Sequence, residues 1–157
     1  MTESFQDMSK QLHQRKRTEA SMSDEYETPD YLIAELASQY GVFPEMDVCG
    51  AENLIKCKTF LTDGLLQEWI VDSWCNPPHS LTKEFVLRAD EQWNKHNINI
   101  MMIIPANAVT SNYFHQVIDN VEYYPIKGRI TFLVDGKPSS YPARNGYFVI
   151  LWRKRNE

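Results

Sequence analysis

The order of apolar and amphipathic segments predicts an α/β fold whose sheet has a parallel centre and an antiparallel edge. Three features carry this. Segments of helical period alternate with short apolar runs through the first two thirds of the chain. Asn97–Ile104 is rich in Ile and bounded by His96 and Pro105, as a strand buried on both faces by helices must be. Beyond residue 120 the apolar runs are separated by turns instead of helices, which makes that edge antiparallel.

Residues 1–25 contain no Gly or Pro and many Ser, Gln and Lys. Phe5, Met8 and Leu12 recur at three and four, so this extension is either a weak amphipathic helix or disordered. The compact domain is expected over residues 26–157. Thr28-Pro29-Asp30 opens a helix with Thr28 as N-cap, and Leu32, Ile33, Leu36, Ala37 and Tyr40 form its apolar stripe. Gly41 ends it. Val42–Val48 reads as a strand ending at Asp47, Glu52–Lys56 as a helical turn, and Lys58–Leu61 as a second strand. Thr62-Asp63-Gly64 is a turn, Leu65–Trp69 a turn of helix, and Ile70–Cys75 a strand running into Asn76-Pro77-Pro78-His79-Ser80. Ser80 is placed to cap a helix reaching about Lys95, with Phe85, Val86, Ala89 and Trp93 facing inward. After the Ile-rich strand come a short helix over Thr110–Ile118 and strands over Val121–Ile126, Ile130–Val134 and Gly146–Trp152. A loop containing Asp135-Gly136, Pro138 and Pro142 joins the last two.

A chain of 157 residues is one domain with room for a sizeable core. With 43% apolar and 24% charged residues it is neither a fibre nor a wholly disordered chain. No apolar run reaches the length of about 18 residues needed to cross a membrane, and the polar N-terminus has no hydrophobic stretch that would direct secretion. Three cysteines, Cys49, Cys57 and Cys75, form no CxxC pair, which fits a reducing cytoplasm. The four histidines lie away from the cysteines, so no metal site is expected. Net charge is −5, but Lys127 to Arg155 holds seven bases against the single acid Asp135. Arg15-Lys16-Arg17 is a second basic knot. Such asymmetry is either a phosphate-facing side or a solvated face.

Asn76-Pro77-Pro78-His79 is the most specific string. Two consecutive prolines remove two backbone donors and hold the preceding residue out of helical geometry. The Asn side chain and its neighbouring carbonyls are thereby fixed, as a preorganised site requires. A strand-to-helix stop in which Asn76 bonds only its own loop is the plainer reading. Polar residues also stand at the other expected strand ends: Asp47, Asp63 and Asn107.

The string resembles the Asp/Asn-Pro-Pro-aromatic motif of amino-group methyltransferases that use S-adenosylmethionine. Further pieces follow in order: Tyr26-Glu27-Thr28-Pro29, Met46-Asp47-Val48-Cys49 with Asn53, Phe60-Leu61-Thr62-Asp63-Gly64-Leu65, Trp74-Cys75 before Asn76, Ile103-Ile104-Pro105-Ala106, and Ile126-Lys127-Gly128-Arg129-Ile130-Thr131-Phe132. Together, over about residues 26–150, they resemble the phage-type DNA N6-adenine methyltransferase (phage Dam) family.

The resemblance implies a reduced Rossmann-like methyltransferase sheet and transfer of a methyl group from S-adenosylmethionine to the N6 amine of adenine. It further implies modification of phage or prophage DNA against restriction, in the cytoplasm of a bacterial host. The catalytic group would be Asn76, Pro77, Pro78 and His79, with two acceptors drawing on the amine and the His79 ring stacking on an adenine flipped out of the duplex. His79 departs from the family's aromatic residue there. Three readings stay open for it: stacking, another substrate, or an inactive relative. Thr28, Asp47, Asn53 and Asp63, with Asn76, are the cofactor-binding candidates. The usual Gly-rich loop is absent after Asp47. Lys127, Arg129, Arg144 and Asn107 are the nucleic-acid candidates, with Arg153–Arg155 behind them. The rivals are an amino-methyltransferase acting on RNA or cytosine, and a catalytically inactive nucleic-acid-binding relative.

Overall fold

The computed structural model describes residues 26–49 and 57–156. The expected helices around Phe5–Leu12 and Glu52–Lys56, the basic knot at residues 15–17, and Asn53 lie outside them. Among the described residues three α-helices, α1 (Asp30–Tyr40), α2 (Thr82–His96) and α3 (Asn112–Val117), flank a six-stranded sheet. Its strands are β1 (Met46–Asp47), β2 (Thr59–Phe60), β3 (Ser73–Cys75), β4 (Ile100–Pro105), β5 (Glu122–Pro125) and β8 (Tyr147–Trp152). Their order across the sheet is β2-β1-β3-β4-β8-β5. The pairings from β2 to β4 are parallel, and β8 pairs antiparallel with both β4 and β5. A separate hairpin joins β6 (Leu133–Val134) to β7 (Lys137–Pro138).

Strand β4 explains the layers. All six of its residues are buried. Ile100, Met102 and Ile104 pack with Phe85, Val86 and Ala89 of α2 and Phe114 and Val117 of α3. Met101 and Ile103 alternate onto the other face, against Leu32, Ile33 and Leu36 of α1 and against Phe132 and Tyr147. The continuous apolar run is therefore two alternating faces, each with its own cover. Gly41 closes α1 with φ 71°, its N–H donating to the Ala37 carbonyl.

Several expected boundaries move. Thr28 does not cap α1: Pro29 occupies the cap position in extended geometry, with no side-chain bond to the helix. Ser80 does not cap α2 either, because a 3₁₀ turn over His79–Leu81 intervenes and Leu81 takes the cap position. The strand expected over Val42–Val48 shortens to Met46–Asp47, since Glu45 and Met46 both donate to the Asp72 carbonyl instead of laddering residue by residue. The strand expected over Ile70–Cys75 shortens to Ser73–Cys75, and the Ile-rich strand begins at Ile100 and includes Pro105. The helix expected over Thr110–Ile118 is a 3₁₀ turn, then α3, then a second 3₁₀ turn. Ser111 caps α3, its hydroxyl accepting from the Phe114 N–H. Ile130–Val134 contributes only β6, outside the main sheet, because Asp135 (φ 54°) and Gly136 (φ 77°) turn the chain straight back into β7.

Candidate functional site

Parallel strands share a direction, so the carboxyl ends of β1, β2, β3 and β4 lie along one edge of the sheet. Strand β5 ends there too, and β8 starts there, since Pro105 and Pro125 pair with Tyr147 and Phe148 at its first residues. The edge therefore gathers Asp47, Asp63, Asn76, Asn107 and the Lys127-Gly128-Arg129 segment. Such an edge is where open α/β sheets bind ligands.

Asn76 leaves β3 directly into Pro77 and Pro78. Its Nδ2 donates to the Tyr26 carbonyl at 3.3 Å. That bond fixes which way the amide faces and leaves Oδ1 as the group able to accept. Tyr26 is itself held, its ring stacked on Phe132 at 5.1 Å between centroids. Next to it, Glu27 exchanges both backbone hydrogen bonds with Leu133 of β6. The N-terminal segment and the hairpin thus brace the Asn-Pro-Pro turn from outside the sheet.

His79 is partly buried, and its Nε2 hydrogen-bonds the Tyr147 hydroxyl. Its ring lies edge-on to Tyr26 at 6.3 Å and tilted to Tyr147 at 6.0 Å. Phe132 completes the cluster, 5.0 Å from Tyr147. Burial pushes the Tyr147 phenol above its ordinary range, so it keeps its proton and can donate to the imidazole. Sequence reasoning missed Tyr147 as the partner of His79 and Phe132 as a member of the cluster, for nothing local marks contacts spanning 50 residues or more.

Asp47 is buried, and its Oδ1 accepts from the Cys49 N–H at 3.0 Å. Asp63 sits in a turn in which the Leu66 and Gln67 N–H groups donate to its carbonyl. Its Oδ1 is buried with no hydrogen-bond partner among the described residues. Burial raises its carboxyl above the ordinary carboxylate value, partly offset by the Leu65 N–H. The Thr28 hydroxyl, on a residue only 2% exposed, likewise finds no partner among the described residues. Buried polar atoms are almost always satisfied, so the Thr28 and Asp63 oxygens are groups that a polar ligand at this edge would satisfy. Their donor and acceptor chemistry fits a molecule carrying an amine and a carboxylate.

Gly64 makes the Asp63 turn possible. A Cβ there would collide with the Val48 carbonyl oxygen just past β1. The thiols around Asp47 are quiet: burial, then the Asp47 and Asp30 charges, push Cys57 up to about 12. Burial also holds Cys75 well above its ordinary value. No group of three or more His, Cys, Asp or Glu among the described residues is arranged to hold a metal ion. No helix among them is long and apolar enough to cross a membrane.

The bases divide. Lys127 and Arg129 are exposed at the site edge, flank Gly128 at φ 79°, and form no ion pair among the described residues. Arg144 and Asn107 are also exposed there. Arg153–Arg155 corrects the expectation of a basic tail behind them. Strand β8 runs antiparallel to β4 and carries this tail to the opposite end. There Arg153 pairs with Glu122 and donates to the Tyr40 carbonyl at 2.9 Å. Arg155 lies over the Trp93 ring at 4.6 Å.

A family model described as DNA N-6-adenine-methyltransferase (Dam) matches residues 15–157, reaching upstream of Tyr26, where the recognisable motifs begin. The chain is similar to a DNA N-6-adenine-methyltransferase of Escherichia phage T1, 28% identical over 155 residues that cover 96% of this chain and 63% of the relative. It is also similar to a DNA N-6-adenine-methyltransferase of Haemophilus phage HP1 (strain HP1c1), 28% identical over 125 residues, 76% of this chain and 72% of the relative. The chain thus spans a little under two thirds of the length of the phage T1 protein.

Proposed function

The chain belongs to the DNA N-6-adenine-methyltransferase (Dam) family, and on that premise we propose that it transfers a methyl group from S-adenosylmethionine to the N6 amine of adenine in DNA. The observation that carries this reading is the Asn76 amide, turned by the Tyr26 carbonyl so that its oxygen is the free acceptor beside Pro77. The mixed sheet is then a reduced Rossmann-like methyltransferase sheet over residues 26–157, with residues 1–25 as an extension. Modification of phage or prophage DNA in the cytoplasm of a bacterial host is the matching setting.

Adenine's exocyclic amine is a weak nucleophile because its lone pair is delocalised into the ring. Asn76 Oδ1 and the Pro77 carbonyl accept its two N–H bonds. They draw the nitrogen toward a tetrahedral shape and return the lone pair to it. The two prolines keep both acceptors in place before substrate arrives, so little reorganisation is needed during reaction. An amide oxygen is too weak a base to remove a proton from the neutral amine. The proton therefore leaves after the N–C bond has formed and the nitrogen has become cationic.

The cofactor supplies a methyl group already activated on a sulfonium, which departs as a neutral thioether. Asp47 accepts from its ribose or amine, Asp63 Oδ1 from its adenine amine, and the Thr28 hydroxyl donates to its carboxylate. The resemblance adds Asn53, which lies outside the described residues, as a fourth candidate. The two buried orphan atoms support this assignment. Lys127, Arg129 and Arg144 take DNA phosphates, and Asn107 reaches the substrate strand. The target adenine leaves the stack to reach Asn76. His79, held by Tyr147, lies beneath it as a stacking ring.

Incubation of the full chain with labelled S-adenosylmethionine and unmethylated DNA, then nucleoside mass spectrometry, tests the reading. N6-methyldeoxyadenosine is expected. Label on cytosine, or on RNA alone, would replace the substrate assignment. DNA binding without any transfer would make the chain an inactive relative.

A further inference from the structure

We propose that Gln92 and Trp69 are positioning residues that hold the Asp63 turn for the cofactor, an inference that rests on the cofactor reading above. Helix α2 buries Phe85, Val86 and Ala89, and the helical period brings position 92 onto the same face. An apolar side chain would satisfy packing there. The residue is Gln, fully buried. Burying an amide is costly unless both its ends are bonded.

Both ends are bonded, and the bond to Trp69 leads toward the Asp63 turn. Gln92 Oε1 accepts from the Trp69 backbone N–H at 2.8 Å. Gln92 Nε2 donates to Glu68 Oε2 at 3.2 Å, which fixes the orientation of the amide. Trp69, also fully buried, donates from Nε1 to the Gly64 carbonyl at 2.8 Å. Gly64 lies so close to the Val48 carbonyl, just past β1, that a side chain there would collide with it. Within the turn, the Asp63 N–H donates to Gln67 Oε1 at 2.9 Å. A continuous series of bonds therefore runs from the middle of α2 to the residue beside Asp63. Asp63, like Thr28, keeps near this edge a buried polar atom without a partner among the described residues. An unpartnered carboxylate oxygen serves a ligand only if its place is fixed, and this series fixes it from behind. Asn76 is not part of it, being set by Tyr26.

The test uses the full chain in three forms: wild type, Gln92→Met and Trp69→Phe. Both variants retain bulk: Gln92→Met removes both bonds of the buried amide, and Trp69→Phe removes the bond to the Gly64 carbonyl. Calorimetry gives the Kd for S-adenosylmethionine, and DNA methylation gives kcat and the cofactor KM. We expect Kd and cofactor KM to rise about tenfold in each variant. At saturating cofactor, kcat should stay within about twofold. A folded variant with unchanged cofactor Kd overturns the proposal. So does a fall in kcat at constant KM, which a purely structural Gln92 would give through a smaller active fraction. If Gln92→Met does not fold, Trp69→Phe decides alone. Wild type that binds no S-adenosylmethionine removes the cofactor reading and this proposal with it, whereas wild-type binding matched by both variants removes only this proposal.

Discussion

The two ends of the sheet are built from the same strands but treat their polar groups in opposite ways. At the amino ends of β3 and β4, the Asp72 carboxylate accepts from both the N–H and the Nδ2 of Asn99, at 2.9 and 3.0 Å. Asn99 and Asn97 accept in turn from the Lys154 and Arg155 N–H groups at 2.7 Å. The Arg153 charge is met by Glu122. At the carboxyl ends, Thr28 and Asp63 each keep a buried oxygen without a partner among the described residues, and Lys127 and Arg129 stand exposed. The closed end serves stability. On the proposed function, the open end holds its hydrogen-bonding capacity in reserve for ligands. Substitutions at the two ends should therefore separate cleanly into losses of stability and losses of function.

The sharpest separation is expected at Asn76. Asn76→Ala should lower kcat at least about 100-fold, the order seen when a preorganised polar contact to a reacting group is removed. Cofactor Kd and the urea midpoint should move little, because only one weak bond to Tyr26 is lost. Single-turnover methylation with parallel calorimetry checks this. Equal losses in binding and rate would mean that the Asn-Pro-Pro turn shapes the site without acting in it.

Asp72→Ala should do the reverse. It strands two Asn99 donors in a partly buried place, so stability should fall by about 1–3 kcal/mol. Urea denaturation reads this loss, and S-adenosylmethionine affinity should stay at the wild-type value. A drop in affinity would show that the two ends are coupled through β3.

How much of this division the sequence reveals depends on the distance over which a signal acts. The Ile-rich run of β4, the stripe and Gly41 of α1, and the Asn76-Pro77-Pro78 turn are local patterns; the first begins three residues later than expected and the others are found where the sequence predicts them. Gln92 carries no such mark, because a polar residue on an amphipathic helix reads as surface. The Trp69 N–H and the Glu68 carboxylate, 23 and 24 residues earlier, explain its burial. The β6–β7 hairpin did carry a local signal: Asp135-Gly136 is a favoured two-residue turn, hidden by the prolines around it. Arg153–Arg155 looked like part of one basic surface because charge counting ignores strand direction. The antiparallel path of β8 sends it to the closed end. The ring cluster of Tyr26, His79, Phe132 and Tyr147 joins four distant segments and has no local mark at all.

Strand direction also divides the bases into two populations that salt can tell apart. Lys127→Ala with Arg129→Ala should flatten the dependence of log DNA affinity on log salt by about 2 if each base meets one phosphate. Arg153→Ala should leave that slope unchanged, because its charge is committed to Glu122. Filter binding or fluorescence anisotropy across a salt series measures both. An equal change in slope for Arg153 would place DNA across the closed end as well.

The smallest effect expected lies with Glu68, and pH exposes it. Glu68 pairs with Lys95 and His96 at the last turn of α2 and with Arg88 further back. The bond from Lys95, then that from His96, hold its carboxyl down at about 2, from an ordinary value of 4.5. A carboxyl with a folded value below its unfolded one binds fewer protons when folded. Its contribution is therefore complete above about 4.5 and disappears as pH falls toward 2. Glu68→Gln removes the charge and retains an acceptor for Gln92. The variant should be slightly less stable than wild type at neutral pH. The two should converge between about 4.5 and 2 as the wild-type carboxylate takes up its proton. The difference should be modest and shrink in high salt, because the cluster is solvent-exposed. Urea midpoints measured from neutral pH down through that range, at low and high salt, give the curve. A gap that stays constant with pH would mean that Glu68 acts by packing and hydrogen bonding alone, and that the closed end owes none of its stability to this charge.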